Sequence, residues 1–192
     1  MTTSKGRQRS AGFVAGTVVG ITFGTVFVLA NSGGVAAPWP LVIRVAGLLV
    51  AALLVAGLVL VVRRGSSVAP APMSGFVDQR YWLIVALEAG ALFGGLAVLN
   101  GVLHGKAVSV AWVTLIVGVH FFGLARIWRM PLYHWLGAAM AILSLAGFLI
   151  YALGGSAAMV ELVAGVGSGA VLYAAVGVAV GDALLGRTSA AT

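Results

Sequence analysis

Glu88 and His120 are the side chains best placed to do chemistry, because each stands inside an apolar run long enough to cross a bilayer. An ionisable group at mid-depth in lipid costs a few kcal/mol, so one that persists there faces the bundle and finds a partner. A carboxyl and an imidazole paired in this way can carry a proton or hold a polar substrate. Counted at about 1.5 Å of rise per residue, Glu88 lies roughly 12 Å from the level of Arg80 and His120 roughly 13 Å from that of Arg129. The two runs are sequence neighbours joined by a short turn, so they are expected to be antiparallel and in contact. The sequence therefore predicts a Glu88–His120 hydrogen bond, serving either as a polar centre or as a clamp on helix register.

Two further polar sets follow from the same depth counting. Arg44 and Glu161 stand about a turn inside the same edge of the bilayer and are expected to form an outer salt bridge. Arg126, Asp182 and His134 form an inner cluster, although Arg126 can also reach the interface by snorkelling. No catalytic residue, cofactor or metal is assigned. Glu88, His120 and His134 offer too few well-placed ligands for a metal, and His134, three residues past Pro131, is at the wrong depth for a haem shared with His120. Gly167-Ser168-Gly169 resembles the serine motif of rhomboid proteases, but Val166 stands where that motif needs glycine. The histidines also precede the serine.

The elements that must position these residues are membrane spans. The chain is 61% hydrophobic and 8% charged, with mean hydropathy +1.14; a soluble domain carries about a quarter charged residues. The net charge of +7 comes from cations at segment ends, which is no clustered basic face for nucleic acid. The absence of Cys excludes disulfides, thiolate metal sites and cysteine nucleophiles. A polar basic tail over 1–10 precedes six apolar runs at about 11–30, 38–62, 81–103, 108–128, 131–153 and 157–185. A short tail covers 186–192. Each run reaches the roughly 20 residues that a helix needs to span hydrocarbon, and no alternating strands suggest a barrel. The fold expected is an all-α, polytopic membrane protein with six transmembrane helices in one bundle.

Orientation comes from the cations. With the N-terminus inside, Lys5, Arg7, Arg9, Arg63, Arg64, Arg80, Arg126, Arg129 and Arg187 are cytoplasmic and Lys106 alone is external, which predicts both termini in the cytoplasm. The first run is read as a retained helix, being longer than the roughly 7–15 residues of a signal-peptide core. Its Gly12, Gly16, Gly20 and Gly24 form a small-residue stripe suited to close helix approach, including association with a second copy. In the sixth run, Glu161, Gly165, Ser168, Leu172, Ala175, Ala179 and Asp182 share one face of an ideal helix, which places that helix centrally. Tryptophans and tyrosines near the span ends fit an interfacial belt, and the Ala-, Gly-, Val- and Arg-rich composition suggests a GC-rich bacterial genome.

The segments YWLIVALE (81–88) and GVHFFGLARIWRMPLYHWLGA (118–138) resemble a family of uncharacterised bacterial multi-span membrane proteins. That family has an acidic residue in one span and an HF-x-x-LAR-like stretch in the next, matched here by Glu88, His120 and Arg126. The resemblance implies an integral protein of the bacterial cytoplasmic membrane, with no reaction or substrate attached. Three functions are then expected in descending order: a non-catalytic scaffold or accessory protein, a small transporter or proton-coupled permease subunit using Glu88 and His120, and an intramembrane enzyme.

Overall fold

The computed structural model describes residues 3–64, 79–102, 106–128 and 130–186. Residues 1 and 2, residues 65–78 of the loop expected over 65–80, residues 103–105 with His104, Arg129 and the tail from Arg187 lie outside the described residues. Among the described residues all regular structure is helical, and six helices are long and apolar enough to cross a membrane. An apolar run without water must satisfy its own backbone N–H and C=O groups, and a helix does so within the segment.

The first helix runs over Thr3–Asn31, so it begins inside the stretch expected to be a tail. With no proline between Thr3 and Asn31, nothing breaks the backbone ladder through these polar residues. The second helix is Trp39–Arg64, and the third is Gln79–Ala97, continued by a π-helical turn at Val98–Val102. A 3-10 turn at Lys106–Val108 leads into the fourth helix, Ser109–Trp128. The fifth, Pro131–Ala152, opens on its proline, where a missing N–H breaks no helical bond.

The turn after the fifth helix is built by Gly154 at φ 80°. Its N–H donates to the Tyr151 carbonyl at 3.0 Å and that of Gly155 to Ile150 at 2.8 Å, closing the helix end as a Schellman motif. The Ser156 hydroxyl then accepts from the Met159 N–H at 3.3 Å, capping the sixth helix, Ala157–Leu184. That helix contains a π-helical stretch at Glu161–Val166.

The sixth helix is central. It packs on the first, second and fifth helices, and its π stretch also meets the fourth. One core joins Ile21, Val28, Ala51, Val61, Tyr173 and Val176; another joins Phe27, Leu136, Met140 and Leu172. Glycines set the closest crossings. A Cβ on Gly169 would stand 2.8 Å from the Gly24 carbonyl oxygen, and one on Gly137 would stand 2.8 Å from that of Gly118. Gly20 meets Val176, whereas Gly16 meets nothing within 4 Å. Part of the glycine stripe is thus filled within the chain itself.

The π stretch also corrects the expected face of the sixth helix. Gly165, Ser168 and Leu172 are buried as expected, but Gly169 and Tyr173, each one residue further on, are buried beside them, and beyond these the buried residues are Val176, Val180 and Ala183 rather than Ala175, Ala179 and Asp182. A π turn closes one residue later than an α turn, so the wheel slips by about one residue beyond it.

The third helix is the opposite case. No residue from Val85 to Val102 is buried, and its main packing partner is the fourth helix.

Candidate polar site at the seam of the third and fourth helices

Glu88 sits in the middle of the third helix and His120 in the second half of the fourth. Antiparallel packing brings them to one height, where His120 Nδ1 and Glu88 Oε2 share a hydrogen bond of 2.5 Å. Either group can hold the proton, depending on the imidazole tautomer. It is the one salt-bridge contact among the described residues, with side chains 32% exposed for His120 and 16% for Glu88. Gly123, three residues after His120, lies beside the carboxyl: Glu88 Oε1 stands 4.0 Å from the place a Cβ would take, an ordinary contact distance. The His120 ring meets Phe121 edge-on at 6.2 Å.

The pair belongs to a series of polar contacts along the same seam. The Trp112 ring lies against Gly95, so closely that a Cβ there would collide with the indole. Its Nε1–H donates to the Ala91 carbonyl at 3.2 Å. Further along, the Ser109 hydroxyl donates to Asn100 Oδ1 at 2.9 Å, while Asn100 Nδ2 donates to its own helix at Leu96. Among the described residues, three side-chain hydrogen bonds join the third helix to the fourth where a buried apolar core would ordinarily do so. Depth counting reaches Glu88 and His120. Trp112, Asn100 and Ser109 it passes over, although an Asn and a Ser flanking one turn are a readable signal for interhelical hydrogen bonding.

The other expected sets are not assembled. Arg44 and Glu161 form no ion pair. Arg44 Nε donates instead to the buried Ser32 hydroxyl at 3.0 Å, and the two charged groups stand against successive glycines, Gly33 and Gly34. Equal depth brought them to one corner, but the turn after the first helix comes between them. In the inner set, Arg126 and His134 are exposed and Asp182 is half-buried. No hydrogen bond or ion pair joins the three, and the His134 ring lies edge-on to Phe122 at 6.3 Å. Exposed cations at a helix end have room to turn outward rather than toward Asp182.

Two hydroxyls missed by the sequence reading tie the central helices. Thr114 donates to the Ala164 carbonyl in the π stretch at 3.0 Å, and Ser144 donates to the Ala111 carbonyl at 2.7 Å. Both are fully buried. Ser168, one turn past Ala164, is also fully buried, and its hydroxyl has no partner among the described residues. Among the described residues no three His, Cys, Asp or Glu side chains gather as a metal site would require. Comparison with protein-family models, curated proteins and solved structures finds no match to the chain.

Proposed function

We propose that this chain is a multi-pass protein of a bacterial cytoplasmic membrane, with both termini in the cytoplasm, and that it acts as a non-catalytic scaffold or accessory protein. The orientation rests on the nine-to-one distribution of cations. The bacterial assignment rests on composition and on the resemblance at 81–88 and 118–138. Membrane placement is supported by the outward-facing Leu, Val, Phe and Trp side chains of the second, third and fifth helices, among them Leu53, Leu83, Phe93 and Trp135. Such a surface would associate in water.

The observation that carries the scaffold reading is the third helix. It has no buried residue between Val85 and Val102, and the Glu88–His120 pair lies on its seam at the edge of the bundle. A polar pair in that position acts as a clamp on register. The proton-carrying alternative draws on one fact: His120 remains 32% exposed while bonded to Glu88, so its ring is not sealed by packed side chains.

The test compares wild type, Glu88→Gln and His120→Ala in detergent melting and in proteoliposomes under a pH gradient. Interhelical hydrogen bonds in membranes contribute about 0.6 kcal/mol on average and up to about 1.7, so a modest fall in Tm is expected in both variants. No wild-type proton flux above empty vesicles is expected. Flux in the wild type that disappears in a folded Glu88→Gln variant would establish the transport reading instead.

A further inference from the structure

Arg44 and Glu161 face the same glycine turn, and neither neutralises the other. Arg44 spends one donor, Nε, on Ser32, leaving the four N–H donors of its terminal nitrogens without a protein acceptor among the described residues. One of those nitrogens is 3.3 Å from the place a Cβ would take on Gly33. Glu161 makes no hydrogen bond or ion pair among the described residues, and its Oε2 is 2.8 Å from where a Cβ on Gly34 would stand. Both glycines and Arg44 are exposed and Glu161 is half-buried, so the corner faces outward. Ser32, fully buried, fixes the guanidinium from beneath. The exposed Trp39 begins the next helix nearby, at the edge expected of an interfacial belt.

The geometry points to this corner as a binding site for a zwitterionic group, with an anionic phosphate or carboxylate on Arg44 and a primary ammonium on Glu161. The guanidinium fork suits a two-oxygen anion, and a carboxylate accepts charge-assisted hydrogen bonds from an ammonium N–H. A side chain on Gly34 would collide with the Glu161 carboxylate and with Ala158, so the glycines keep both charged groups uncovered. A phosphoethanolamine lipid headgroup carries both charges at the depth of this corner; a free phosphoethanolamine or amino acid carries the same pair. The lipid source rests on the membrane reading above, but the site itself does not depend on the scaffold role.

The experiment is native mass spectrometry of the full chain released from micelles holding equal amounts of phosphatidylethanolamine and phosphatidylcholine. Phosphatidylcholine keeps the positive charge but has no ammonium N–H to donate. Wild type is expected to retain phosphatidylethanolamine over phosphatidylcholine by roughly tenfold, the worth of one charge-assisted hydrogen bond. Glu161→Gln is expected to remove that preference while keeping the wild-type melting profile, and Arg44→Gln to weaken retention of both lipids with a modest fall in Tm as the bond to Ser32 is lost. Gly34→Ala, which crowds the Glu161 carboxylate, provides a third variant. In a second arm, soluble phosphoethanolamine is titrated in lipid-poor detergent. Stabilisation there that the same variants abolish, without lipid preference, assigns the site to a free zwitterion. Equal retention of both lipids with no response to soluble phosphoethanolamine, or a preference unchanged in all three variants, overturns the proposal.

Discussion

At the scale of single residues, hydroxyls in apolar runs do much of the specific work. Thr25 donates to the Ile21 carbonyl at 2.7 Å and also bonds the Tyr173 hydroxyl at 2.8 Å. Having a single proton, Thr25 receives the second bond as acceptor, so Tyr173 is the donor. Around the π stretch the accounting is tighter. Ser168 would ordinarily turn back to the carbonyl four residues earlier, which is that of Ala164, and Thr114 already takes one of its two acceptor positions. Thr114→Val is therefore expected to lower stability by about 0.6–1.7 kcal/mol, reduced where Ser168 takes over the vacated carbonyl. Ser168→Ala alone is expected to be neutral or slightly stabilising, since an unpaired buried hydroxyl carries a desolvation cost of about 1–3 kcal/mol. A double-mutant cycle on detergent melting reads the coupling: the double variant should fall below the sum of the singles.

At the scale of elements, what the sequence made legible was periodicity and depth. Six hydropathic runs gave six helices, and counting residues from charged span ends set Glu88 and His120 at the height where they meet. Depth is only one coordinate, however. It aligned Arg44 with Glu161 without revealing that the Gly33–Gly34 turn separates them. It also aligned Arg126 with Asp182 without showing which way the cation turns. The π stretch at Glu161–Val166 left no mark on hydropathy, because exchanging one hydrogen-bond register for the next changes no side chain. Its effect was visible only as a helical face displaced from Ala175, Ala179 and Asp182 to Val176, Val180 and Ala183. The glycine pattern of the first helix did announce a close crossing, but not that the sixth helix would supply the other side. Gly169→Val is expected to cost about 1–3 kcal/mol by overpacking against the Gly24 carbonyl and Val28. Gly16→Val, with nothing nearby, should leave the melting temperature within experimental scatter. A loss of similar size at both positions would mean that a second copy covers the open part of the stripe.

At the scale of the whole molecule, the described helices divide by how they are held. The first, second, fifth and sixth share continuous buried clusters, and the fourth joins them through Ala111, Thr114, the close Gly118–Gly137 crossing and Val113, Val117 and Phe121. The third is attached by the hydrogen bonds at Glu88, Ala91 and Asn100. Stability is then uneven across the protein, with local opening easiest where buried apolar contacts are fewest. Hydrogen exchange in nanodiscs is expected to show the third helix losing protection before the sixth. Combining His120→Ala, Trp112→Phe and Ser109→Ala should accelerate exchange there while leaving the rates of the first and sixth helices unchanged. Simultaneous loss of protection in all six helices would show instead that the seam is integral to the central bundle.

The seam between the third and fourth helices has a chemical consequence. Acyl chains are as apolar as leucine and can stand in for the aliphatic touches along it. They have no group to offer a carboxyl, an indole N–H or a carboxamide. Any molecule that levers this rod away from its neighbour must therefore carry hydrogen-bonding groups of its own into the hydrocarbon layer, and bulk lipid alone will not do it.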